Sequence, residues 1–202
     1  MKKRGAAEIF LSWPIASVAN STVSVFDPMK KTFSERLLFT EERNRTILFF
    51  YPADFSYVCP TELAKLNALF HSFHMEGAEI LVISRDSLVV HKKWIEMEPQ
   101  LAGLKIKMVS DKKASIGKSI WLLNTTSWEY ERAILVCSPE GKVAYMQISN
   151  ASLGRNIEDL LRVVQWLNHL LRHPERLCQE DWHDGEEGIH ECTPVTHLFF
   201  NS

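Results

Sequence analysis

Thr46-Ile47-Leu48-Phe49-Phe50-Tyr51-Pro52-Ala53-Asp54-Phe55-Ser56-Tyr57-Val58-Cys59-Pro60-Thr61-Glu62-Leu63 is the stretch that decides the fold. Residues 46–51 form an apolar run of strand length, rich in aromatic and branched side chains, and read as a buried strand. Pro60-Thr61-Glu62-Leu63 reads as a first helical turn: proline is tolerated at the first helical position, and a carboxylate suits the positive end of the dipole. Cys59 therefore stands where a strand hands over to a helix. Free N–H groups and the helix dipole converge there, and both favour a thiolate over a thiol. The bland alternative is a buried, inert thiol, the usual fate of a cysteine outside such a context.

Upstream, Ser21 to Phe26 alternates polar and apolar residues and predicts an edge strand, with a turn at Asp27-Pro28. Phe33–Phe39 fits no single pattern, and Glu41–Arg45 reads as a solvated loop. Downstream, Leu63, Leu66, Leu69, Phe70 and Phe73 share one face of a helix beginning at Pro60. His71 and His74 fall on its polar side, where solvated histidines are expected rather than a metal site. Ala78–Ser84 reads as a second buried strand. A helix then starts at Asp86 or Ser87, carries His91 and Trp94, and ends at Pro99. A short strand over 106–109 and a short helix over 112–122 follow. Residues 132–138 and 142–147 form a hairpin around Pro139-Glu140-Gly141, with Cys137 as a packing residue. Residues 153–171 make the longest helical pattern, stopped by His173-Pro174. This order predicts an α/β chain with a mixed sheet flanked by helices.

The chain has 202 residues, 46% hydrophobic and 24% charged, with a net charge of −2. That balance suits one globular domain and gives no footprint for nucleic acid or an anionic membrane. No apolar run is long enough to span a bilayer. The cysteines are Cys59, Cys137, Cys178 and Cys192. None forms a C-x-x-C pair, so neither a zinc site nor a vicinal dithiol is expected. Lys2-Lys3-Arg4 before an apolar stretch imitates a signal sequence, but Glu8 and Pro14 interrupt it, and a short extension is the preferred reading. The organisation expected is an N-terminal extension over 1–12, a core domain over 13–172 and a C-terminal arm over 173–202.

Pro52, Ser56 and Cys59 spell P-x-x-x-[ST]-x-x-C, and Asp54–Glu62 resembles the D-F-T-F-V-C-P-T-E signature of typical 2-Cys peroxiredoxins, with the bacterial alkyl hydroperoxide reductase C proteins among them. The likeness runs from Trp13 to Trp182 and includes Ser84–Ser87, similar to V-S-x-D-S, and His91 with Trp94, similar to H-x-x-W. It implies a thioredoxin-like peroxiredoxin fold with an extended C-terminal tail, and a thiol peroxidase without cofactor or metal that reduces hydrogen peroxide and organic hydroperoxides.

In that reading Cys59 attacks the peroxide, Ser56 offers its hydroxyl, and Pro52 covers the pocket without a competing N–H. Arg132, in a segment similar to R-[GA]-x-F-x-[IV]-D, supplies the cation. Glu62 and Arg155, the latter in a segment similar to V-G-R, resemble the pair that holds this arginine. Attack leaves a sulfenic acid that condenses with a second thiol. Cys178, in Leu177–Trp182, is similar to the family's V-C-P-A-x-W, with Gln179 and Glu180 departing from it; Cys192 is the alternative. The resemblance implies a disulfide between subunits, a homodimer that assembles into a decameric ring, and a reducing partner such as thioredoxin or a flavoprotein reductase, in the cytoplasm. Ala102–Lys105 and Phe199-Phe200 partly resemble the segments of overoxidation-sensitive members and imply intermediate sensitivity. A non-enzymatic chaperone or redox relay on the same fold is the rival reading.

Overall fold

The computed structural model describes residues 18–40 and 45–190. Trp13, Cys192 and Phe199-Phe200 lie outside the described residues.

A seven-stranded mixed sheet carries the chain, in the order β2-β1-β5-β4-β3-β6-β7. The strands are β1 (Thr22–Asp27), β2 (Thr32–Leu37), β3 (Arg45–Phe50), β4 (Ala78–Ser84), β5 (Lys107–Ser110), β6 (Arg132–Cys137) and β7 (Val143–Ser149). β3, β4 and β5 are mutually parallel, while β1 and β6 run against them. The helices are α1 (Cys59–Ala68), α2 (Phe70–Met75), α3 (Leu88–Met97), α4 (Ser115–Ser119) and α5 (Ile157–Arg172).

β3 is the axis. All six of its residues are buried, because both faces of a central strand are covered and the sequence supplies apolar side chains in both phases. Ile47 and Phe49 pack on one face with Leu63, Leu66, Phe73, Trp94, Leu160 and Val164. Leu48 and Phe50 pack on the other with Ile116, Ile120, Leu122 and Tyr130. Each such side chain is worth about 1.5–3 kcal/mol when removed from water.

Several expectations need correction. The strand at Thr22 is not an edge: it pairs with β5 on one side and on the other with β2, which occupies most of the unassigned 33–39 segment. Asp27 Oδ1 closes that hairpin by accepting the N–H groups of Met29 (3.0 Å) and Lys30 (3.2 Å). Arg45 is not in a solvated loop. It opens β3 at 1% exposure and donates from Nε to Asn168 Oδ1 (3.0 Å), and burial lowers its pKa to about 10.

The helix expected over 112–122 shrinks to five residues. Ala114 and Trp121 both take left-handed backbone (φ 56°) and bracket it. The Asp111 carboxylate accepts the N–H groups of Ser115, Ile116 and Gly117 and the Tyr130 hydroxyl, fixing this turn onto β5. The helix from Pro60 is interrupted at Leu69, although Phe73 N–H still reaches Leu69 O (3.1 Å). The 139–141 turn holds, with Gly141 at φ 80°, where a Cβ would press on the Phe39 ring.

α5 starts at Ile157 rather than 153, because Asn156 caps it through the N–H groups of Glu158 and Asp159 and the preceding Arg155 turns inward. The segment after α5 is less extended than its composition suggests. It pairs with itself through β8 (Arg176–Leu177) and β9 (Ile189–His190) and buries Trp182 completely against His169 of α5. Among the described residues no helix is long and apolar enough to cross a membrane.

Candidate active site

The parallel strands end on one edge of the sheet, and the chemistry gathers there. β3 runs into the loop 51–58, which delivers Cys59 as the first residue of α1, with Pro60 just inside the helix as the sequence predicts. Cys59 is fully buried. Arg132 opens β6, which is antiparallel to β3, so its side chain arrives at the same edge from the opposite direction. Its Nη1 donates to Cys59 Sγ at 3.2 Å and to Glu62 Oε2 at 2.8 Å, while its Nε donates to the Ala151 carbonyl at 2.6 Å.

Glu62, one turn into α1, is the counterion. Its Oε1 accepts Arg155 N (2.8 Å) and Nε (2.9 Å), and its Oε2 accepts Arg155 Nη2 (2.9 Å) besides Arg132. Arg155 is held further by donating Nη1 to the Phe50 and Ala133 carbonyls, both at 2.8 Å, and its guanidinium lies 3.4 Å from the centre of the Phe49 ring. Burial pulls the Arg155 pKa down, and Glu62 opposes that pull. One carboxylate and two guanidinium groups leave a net positive charge beside the sulfur, in a setting with little water to screen it.

The other expected residues are placed as follows. Pro52 is buried within the loop. Ser56 is half-buried, and its hydroxyl donates to the Ala53 carbonyl (2.9 Å) rather than to the sulfur. Cys137 is buried inside β6, and burial drives its thiol far above the ordinary range. Cys178 follows β8, part-exposed, with its thiol raised by burial. Its arm is fastened to α5 where Arg162 Nη1 donates to the Glu180 carbonyl (3.0 Å), Trp166 Nε1 to the Trp182 carbonyl (3.2 Å), and His169 Nε2 meets the Glu187 carbonyl (3.2 Å). Cys59 and Cys178 are both free thiols, with no disulfide between them within the protomer. His71 and His74 are exposed on α2.

Residue-by-residue reading passed over a second buried cluster under the same loop. Asp54 Oδ1 accepts the Tyr51 hydroxyl (2.6 Å), and Asp54 Oδ2 lies 2.7 Å from His91 Nδ1. His91 and Trp94 did stand out as a sequence pair; only their spatial partner was missing.

Fold and site together define a thiol-dependent peroxidase on a thioredoxin-like sheet. The model of the AhpC/TSA family matches residues 25–146, more than half of the chain, and the chain belongs to that family. It is 34% identical over 146 residues to the 2-Cys peroxiredoxin BAS1, chloroplastic, of Hordeum vulgare, covering 71% of this chain and 69% of that protein. It is 28% identical over 168 residues to alkyl hydroperoxide reductase C of Staphylococcus epidermidis, covering 83% of this chain and 89% of that protein. Among solved structures, the reduced 2-Cys peroxiredoxin of Plasmodium vivax superposes with a TM-score of 0.76 at 26% identity, covering 82% of this chain and 86% of that one. AhpC of Enterococcus faecalis gives 0.73 at 27% identity, covering 80% and 99%.

Proposed function

We propose that Cys59 is the attacking sulfur and Arg132 its activating cation in the reduction of hydrogen peroxide and small organic hydroperoxides. The observation that carries this reading is the 3.2 Å contact between Arg132 Nη1 and Cys59 Sγ at the first residue of α1. The helix end and the guanidinium both direct N–H groups and positive charge at the sulfur. The thiolate attacks one peroxide oxygen, the O–O bond breaks, and the other oxygen leaves as hydroxide or alkoxide and takes up a proton. Arg132 offers N–H groups to the charge that develops on the oxygens. Glu62 and Arg155 hold Arg132 in register. Ser56 turns its hydroxyl from Ala53 O toward the peroxide, and Pro52 closes the floor of the pocket without offering a donor.

The product is the Cys59 sulfenic acid. The Cys178 sulfur attacks it, expels hydroxide, and forms a disulfide; a dithiol reductant such as thioredoxin, or a flavoprotein reductase, returns both thiols. Both thiols are free within one protomer, and the likeness to typical 2-Cys peroxiredoxins supports a bond to the second protomer of a homodimer. The open edge of β7 gives such a dimer a place to form, and dimers in turn build a decameric ring. The enzyme works in the cytoplasm.

Peroxide consumption with a dithiol reductant tests the assignment. Wild type turns over and runs as a covalent dimer on a non-reducing gel after one equivalent of peroxide. Cys59→Ser does neither, and Cys178→Ser accumulates sulfenic Cys59 without the dimer. Dimer formation by Cys178→Ser, lost instead in Cys192→Ser, would reassign the second thiol.

A further inference from the structure

We propose that His91 is a positioning residue for the thiol loop: through Asp54 and Tyr51 it latches residues 52–58 shut and so sets how often Cys59 is presented outside its pocket. This inference rests on the assignment of Cys59 and Cys178 above. Cys59 is fully buried, so no second thiol reaches it unless the loop and the first turn of α1 open.

The latch is visible as a set of contacts that converge on one residue. Asp54 is 7% exposed, and three groups hold it. The Tyr51 hydroxyl donates to its Oδ1 (2.6 Å), His91 Nδ1 meets its Oδ2 (2.7 Å), and its own N–H donates to Asp86 Oδ2 (2.9 Å). His91 is itself fixed, with Nε2 3.4 Å from the Val109 carbonyl of β5. Three residues along α3, on the same helical face, the Trp94 ring stacks on Tyr51 (5.9 Å between centroids) and meets Phe55 (6.4 Å). Thus α3 grips the loop at two points through residues three apart.

The loop needs gripping. Phe55, the residue after Asp54, sits at φ 55°, a conformation that a bulky side chain adopts only when its surroundings impose it. Ser56, next in line, bonds to Ala53 O within the same loop. Burial, with the nearby Asp86 charge, holds the Asp54 carboxyl above its ordinary range, and the bonds to His91 and Tyr51 offset only part of that rise. Loss of either partner leaves a buried acceptor unsatisfied and a strained turn free to relax.

The readout is the alkylation of Cys59 in the reduced, full-length protein by a bulky maleimide, with the modified residue located by mass spectrometry. Tyr51→Phe keeps the ring and removes one hydrogen bond to a charged acceptor, and the rate rises about tenfold or more. His91→Gln gives a second, independent test with the same sign. Formation of the covalent dimer after peroxide accelerates in parallel. Ile80→Val, in the core on β4 and away from the loop, serves as a control for general loosening and leaves the Cys59 alkylation rate within about twofold of wild type. If Tyr51→Phe and His91→Gln alkylate at the wild-type rate, or no faster than Ile80→Val, the latch is refuted. The two readings fail separately: faster alkylation with no Cys59–Cys178 disulfide overturns the resolving thiol and leaves the latch standing.

Discussion

Glu62→Gln removes one charge and changes almost no volume, so its effect can be worked out from the four bonds around the carboxylate. Oε1 accepts from Arg155 N and Nε, and Oε2 from Arg132 Nη1 and Arg155 Nη2. The glutamine oxygen can keep the first pair. Its NH2 group then points hydrogens at the hydrogens of Arg132 and Arg155, so two charge-assisted bonds become repulsive. Each is worth about 1.5–3 kcal/mol, and removing one partner of a buried ion pair costs about 3–5 kcal/mol. The first route gives about 3–6 kcal/mol and the second about 3–5, so a loss of about 4 kcal/mol is expected. With a urea m-value of about 2 kcal/mol/M for a chain of this size, the unfolding midpoint falls by about 2 M. Glu62→Asp retains the charge and loses less. The peroxide step gives a second reading with an opposed electrostatic term. Deleting a negative charge beside the sulfur favours its ionised form, so charge alone would not slow the reaction. A fall of about tenfold or more therefore reports a displaced Arg132. A midpoint shift below about 0.5 M would show that Glu62 is not the counterion of this cluster. A full stability loss with an unchanged peroxide rate would show that its hold on Arg132 does not matter to the chemistry.

Arg132→Lys keeps a cation but cannot bridge the Ala151 carbonyl, the Cys59 sulfur and the Glu62 carboxylate at once; stopped-flow peroxide reduction is expected to slow by about tenfold to a hundredfold, the worth of one hydrogen bond to a charged group, and a wild-type rate would remove the guanidinium from the mechanism. Cys137 is inert: native-state alkylation at pH 8 followed by peptide mapping leaves it unmodified while Cys178 reacts. Glu79 contributes an acid limb to stability. Burial alone would raise its pKa, but the hydrogen bonds from Arg36 and Lys107 outweigh burial and lower it from the ordinary 4.5. A carboxyl depressed in the folded state stabilises fully above its unfolded value and loses that contribution as pH falls through the folded one. Urea midpoints should therefore drop below about pH 4.5, and Glu79→Gln should flatten that drop; an unchanged acid limb would refute the assignment.

The fold was legible where local and global preferences coincide. β3, β4 and β6 are buried on both faces, and uninterrupted apolar runs of strand length announce such strands. Ser87 and Pro60 mark helix starts because their chemistry satisfies or tolerates orphan backbone groups at the positions they occupy. Misreadings arose where tertiary partners decide. Arg45 looks solvated until Asn168, 123 residues away, supplies its acceptor. β2 is exposed along most of its length, so no pattern separates it from a loop until β1 pairs with it. Trp121 and Ala114 end α4 through backbone angles that their side chains do not advertise.

The same division runs through the site. Cys59 and its helix start can be read from a dozen consecutive residues, since the activating field is local. Arg132 and Arg155 lie 73 and 93 residues from the atoms they bind, and bare sequence offers no spacing rule for them. Only the resemblance of their flanking segments marked them. The physical reason they must come from so far is charge. A buried thiolate needs a cation, a buried cation needs a carboxylate, and a carboxylate taking four donors exceeds what one turn of helix can offer. The loop before Cys59 repeats the pattern on a smaller scale, with Asp54 anchored by Asp86 and His91, 32 and 37 residues away. Local sequence builds the reactive group, and distant sequence pays its desolvation; substitutions at Arg132 and Arg155 should therefore lower stability and peroxide reactivity together, while those confined to the arm at Cys178 alter the second step alone.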